Sequence, residues 1–163
     1  MESTAQQAQT CIDNLNQESQ RMLKLLSFVP DDKLNWAPSS SARTALQLVA
    51  HCAVTNPVFQ AVITSNLPDP CPEPGEFFAL LKEQELAVTT REQAIELLTK
   101  STADLSSAMS AVDDAQMATS PNSPFGPLPM GFWLGVTHAH FAGHNGQLEY
   151  LQTIWGDLDN HMG

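Results

Sequence analysis

His140 and His144 stand one helical turn apart in LGVTHAHFAGHNGQLEYLQTIW, Leu134 to Trp155, so on a helix both rings leave the same side. Two imidazoles at that spacing are half of a divalent metal site. His51 lies far upstream, on a second helical pattern whose core face carries Leu48, Thr55, Val58 and Val62. A third inward imidazole completes a three-histidine set, which leaves a position open for water or substrate. Burying three imidazoles without a metal would leave polar nitrogens unpaired, at about 1–3 kcal/mol each. The predicted ligands are therefore His51, His140 and His144. Zinc or nickel is the expected ion, and iron and copper accept the same ligands.

The other histidines fall outside this set. His138 is two residues from His140, about 200° around a helix, and His161 is expected in a frayed tail. Phe141 follows His140 where H-E-x-x-H would need glutamate, so a zincin-type protease is disfavoured. Gln147 is within one turn of His144 and is the expected ring-orienting partner. Cys52 adjoins His51 but points about 100° away and reads as a buried bystander. Gly143 and Gly146 flank His144 and are expected to admit a close neighbouring element.

These residues need long helices to hold them. The patterning predicts helices over about Ala5–Phe28, Thr44–Asn66, Thr90–Ala111 and Met130–Trp155. Thr90 and Gln93 read as a capping box, and a serine or threonine near Ser41 is the expected cap of the second helix. Pro57 predicts a kink or break in that helix. Leu67–Gly75 holds four prolines in nine residues and reads as a stiff crossover, followed by a short turn over Phe77–Lys82. Ala115–Pro129 is expected to be an irregular, functional loop. Trp36, in a polar connector, is expected to plug the bundle end or to wall a ligand pocket. The fold class is all-α: a four-helix bundle with long proline-rich crossover connections, forming a single domain over residues 1–163.

Composition narrows the partners. Seven basic against eighteen acidic residues give a net charge of −11, which disfavours nucleic acid and anionic membrane surfaces. No run of about 18 apolar residues predicts a transmembrane helix. The N-terminal residues lack a signal-peptide pattern, and the three cysteines, none in C-x-x-C spacing, fit a reducing compartment. The expected location is the cytoplasm.

Two stretches resemble the DinB-like superfamily of metal-binding four-helix bundles. LLSFVPDDKLNWAPSSSARTALQLVAHC, Leu25 to Cys52, is similar to its tryptophan-containing connector and first ligand histidine. HFAGHNGQLEYL, His140 to Leu151, is similar to its H-x-x-x-H-[R]-G-Q-L motif, with Asn145 where many members carry a basic residue. The resemblance implies His51, His140 and His144 as ligands, a homodimer, and a metal-dependent hydrolase or thiol-dependent transferase. The expected substrate is a small molecule, with a low-molecular-weight thiol as one candidate. The alternative is a non-catalytic metal- or ligand-binding bundle of a stress response.

Overall fold

The computed structural model describes residues 3–161, and among them every regular element is helical. Helix α1 spans Thr4–Ser27, α2 Ala45–Ile63, α3 Pro74–Ala87, α4 Arg91–Ser110, α5 Asp114–Met117 and α6 Met130–Ile154, with a short 3-10 turn at Asp31–Lys33. Three of the four long helices begin with a capping box. Ser3 pairs with Gln6, Thr44 with Gln47 and Thr90 with Gln93, each satisfying backbone donors that the first turn leaves free.

The bundle is formed by α1, α2, α4 and α6. Helix α1 packs on α6 and α4, while α2 packs on those same two. The order around the bundle is thus α1, α4, α2, α6, and the connection from α1 to α2 crosses a diagonal. Helix α3 lies outside, against α2. Leu15, Met22, Leu26, Leu46, Leu98, Leu105, Phe141 and Leu148 are fully buried in one core. Each such side chain stabilises the fold by about 1.5–3 kcal/mol relative to exposure. Arg91 fastens α4 to the end of α1 by donating to the backbone oxygens of Leu26 and Val29.

Several sequence expectations change here. Helix α2 runs without a break through Pro57, which lies exposed. Its cap is Thr44 itself rather than a residue near Ser41. The turn expected at Phe77–Lys82 is a 14-residue helix, because Pro74 at its first turn starts a helix that proline would break further in. The expected loop at 115–129 begins inside α5. His161 is held, stacked on Phe28 and paired with Asp157 at 2.8 Å. By length and composition α2 could cross a membrane, but 67% of its most apolar stretch is buried inside the bundle.

Candidate metal centre

Helices α2 and α6 pack side by side, and that contact brings the three predicted histidines together. Nε2 of His140 lies 3.2 Å from Nε2 of His51 and 3.1 Å from Nε2 of His144. All three nitrogens lie within 4.8 Å of one another. His138 is outside the cluster, and so is Cys52, whose thiol is buried and pushed above its ordinary range by that burial.

The outer faces of two rings are already held. His144 Nδ1 meets Gln147 Oε1 at 2.7 Å, placing Gln147 where the sequence expected it. His51 Nδ1 lies 3.3 Å from Oε2 of Glu85 on α3. Glu85 is fully buried, yet accepts from Arg43 Nε at 3.0 Å and Lys82 Nζ at 2.7 Å. Burial alone would raise its pKa; hydrogen bonds from His51, Lys82 and Arg43 outweigh it and lower the value to about 2. Arg43 Nη2 also sits 3.3 Å from His51 Nδ1, but Arg43 can only donate and Glu85 can only accept. With its proton on Nδ1, His51 faces the buried carboxylate and keeps the Nε2 lone pair; with it on Nε2, Nδ1 accepts from Arg43 instead.

These tautomers make the fit test for a cation. With Nδ1 protonated on His51 and His144, their Nε2 lone pairs face His140. A neutral His140 has one ring proton and can satisfy one of them, while its own Nδ1 is buried without a partner. The cluster is therefore rich in acceptors and short of protons. Protonation does not repair this, because burial, then the nearby His144, His51 and Arg43, lower the His140 pKa to about 3. Burial also lowers that of His144, opposed by its bond to Gln147. A divalent cation accepts all three lone pairs at once, and neutral imidazole is the form that ligates. The residues present fit a metal.

Beside the histidines is a cavity of about 440 Å³ that His51 and His140 help to line. Its bundle wall includes Phe59, Trp133 and Val136, and its outer wall is Phe77, Phe78 and Leu81 of α3. Pro124, Phe125 and Leu128 from the connector after α5 complete its lining. A larger groove, about 510 Å³, runs between α2, α3 and α4 and contains no histidine.

Trp36 is not on the cavity wall. It packs edge-on to Trp155 with ring centroids 6.1 Å apart, so the plug reading describes it and the pocket-wall reading is corrected. Asn145 is fully buried and donates to the backbone oxygen and carboxylate of Glu18 at 3.0 and 2.7 Å, tying α6 to α1. Gly143 and Gly146 face open space, so close approach does not explain them.

Sequence reasoning missed Glu85 and Arg43. A signal existed for the first: Phe77 and Leu81 on α3 and Val88 just past its end follow at helical spacing, and Glu85 is the carboxylate inside that stripe. A buried charge within such a stripe needs partners nearby.

The fold is similar to that of three solved structures. YfiT from Bacillus subtilis, described as a "probable metal-dependent hydrolase with an unusual four-helix bundle topology", aligns with a TM-score of 0.74 at 17% identity, over 96% of this chain and 91% of that one. The DinB-like protein YjoA from Bacillus subtilis gives 0.67 at 14% identity, over 92% and 94%. The mycothiol-dependent maleylpyruvate isomerase gives 0.70 at 14% identity over 86% of this chain, which spans 60% of that enzyme. No curated protein matches the sequence. The sequence profile of the DinB superfamily matches residues 14–148, and with the diagonal bundle and the profile in agreement, the chain belongs to the DinB superfamily.

Proposed function

We propose that this protein is a metal-dependent enzyme whose ion is held by His51, His140 and His144. The observation that carries the reading is the convergence of three Nε2 atoms with too few protons between them. A zinc or nickel ion there would supply Lewis acidity, lowering the pKa of a water or a small-molecule thiol. The protein's own part is positional. Glu85 and Gln147 hold two rings in the ligating tautomer. Arg43 and Lys82 neutralise Glu85, so that it accepts from His51 instead of being protonated itself. The aromatic cavity gives one side of the site an apolar wall.

Hydrolysis and thiol transfer both fit this arrangement. The likeness to a described metal-dependent hydrolase supports the first, and the likeness to a mycothiol-dependent isomerase supports the second. A homodimer belongs to the proposal on the family resemblance alone. Metal analysis of protein purified without an affinity tag tests the core claim, with hydrolysis and thiol-transfer assays alongside. Stoichiometric metal that His51→Ala abolishes is expected, together with turnover that depends on it. A wild-type protein without metal, unaffected by His51→Ala, ends the proposal. Metal without turnover in either assay leaves the non-catalytic binding bundle.

A further inference from the structure

We infer that the cavity beside the histidines receives an uncharged, ring-bearing small molecule, so that the substrate of the proposed enzyme is an apolar aromatic compound. This rests on the proposed function for its chemistry, but the cavity's own properties carry the choice of ligand. Its wall contains six aromatic side chains and no Asp, Glu, Lys or Arg. The Thr55 hydroxyl on that wall is already committed to the His51 carbonyl at 2.7 Å. An ammonium group inside would find no counter-charge, and an anion would find one only at the ion itself; among the rings, burying an unpaired charge is far costlier than burying a ring. A volume of about 440 Å³ is within the ordinary range for small-molecule sites.

The mouth supports the same ligand. Phe78, Phe125 and Phe132 are 51%, 58% and 48% exposed, although they belong to three different elements. The Phe78 and Phe125 rings lie 6.0 Å apart, across the gap between α3 and the loop after α5. Large exposed aromatics gathered around one cavity are what a partner with an apolar surface would cover, and rings prefer such tilted neighbours at this spacing. The groove between α2, α3 and α4 provides the contrast: Glu96 and Lys100 line it, and none of the histidines does.

The test uses N-phenyl-1-naphthylamine, a neutral fluorescent two-ring probe, and its anionic relative 8-anilinonaphthalene-1-sulfonate. Each is titrated into the protein as purified and after treatment with a chelator. In the chelator-treated protein the neutral probe should saturate at one site and bind roughly tenfold or more tighter than the anion. Val136→Trp, which fills the cavity, should weaken the neutral probe by roughly tenfold or more, whereas Leu97→Trp in the groove should leave it unchanged. Circular dichroism verifies that both variants are folded. If Val136→Trp is not folded, the smaller filling change Val136→Leu and the rim change Phe78→Asp replace it, with weaker binding again expected. Equal affinity for both probes, or a loss caused by Leu97→Trp instead, overturns the inference. Chelation separates the two readings. Retained probe binding in protein that never held metal removes the proposed enzyme and keeps the cavity; stoichiometric metal without probe binding does the reverse.

Discussion

Two polar clusters interrupt the apolar core, and they are built in opposite ways. Near the α1–α4–α2 contact, Asn56 Nδ2 donates to Ser101 Oγ at 3.1 Å and to Thr102 Oγ1 at 3.3 Å, and Thr102 meets Ser19 at 3.3 Å. Ser101 also donates to the Leu98 carbonyl. Hydroxyls both donate and accept, so this cluster largely closes on itself, with Asn56 Oδ1 its one unpartnered atom. The α2–α6 cluster contains three imidazoles, two of them with their outer nitrogens already committed, and its three Nε2 atoms face one another. One seam is finished by the protein. The other leaves lone pairs that a cation would accept.

The largest effect should come from breaking the second cluster at its centre. His140→Ala should abolish stoichiometric metal, measured by elemental analysis of untagged protein, while Asn56→Ala should leave it intact. If both variants keep metal, the contrast is lost. Next comes Glu85→Gln, which removes the charge that orients His51 and leaves Arg43 and Lys82 without their carboxylate. Metal affinity should fall about 10–100-fold in competition with a chromogenic chelator. An unchanged affinity would make Glu85 a purely structural ion-pair partner of α3.

Acid should then separate the clusters in metal-free protein. The folded pKa of His140 is lowered from 6.5 to about 3, so between these values the unfolded chain binds a proton that the folded one refuses. Stability present above pH 6.5 is therefore lost as pH falls toward 3. Glu85, lowered from 4.5 to about 2, adds a loss of the same sign beginning near pH 4.5. The Ser19–Asn56–Thr102 cluster has no titratable group and contributes no slope. Thermal unfolding from pH 7.5 to 5 should show a falling midpoint, shallower in His140→Phe; an identical slope in that variant would reject the assignment.

Smaller effects complete the comparison. Asn56→Ala should cost about 1–3 kcal/mol, read by denaturant unfolding, because it leaves Ser101 and Thr102 buried without their donor. Gly146→Ala should stabilise α6 by about 0.5–1 kcal/mol, since a Cβ there meets nothing within 4 Å. Destabilisation instead would show that the backbone beside His144 has a need for glycine that open space does not reveal.

The legible parts were those carried by local spacing. His140 and His144 announce a shared face, and Thr90 with Gln93 announces a helix start, because both depend on residues three or four apart. Asn145 illustrates the limit. It was visible as a departure from the family motif, but its bond to Glu18 reaches 127 residues back, and no string pattern encodes that pairing. Trp36 was ambiguous for the same reason: its partner Trp155 lies on the far end of another helix. The reach of α3 was underestimated because its surface is mixed, with Leu80 and Leu86 exposed and Glu85 buried.

By itself the sequence determined four long helical segments, their proline-rich connections and three histidines on two of them. That follows from periodicity, which a chain carries whatever it packs against. Only the tertiary structure decided that α2 and α6 are neighbours, so that His51 meets His140. It alone set α3 against α2, placing a buried carboxylate behind His51 and a wall of aromatic rings beside it. Those features depend on helix order around the bundle, which short-range patterning leaves open and side-chain packing resolves.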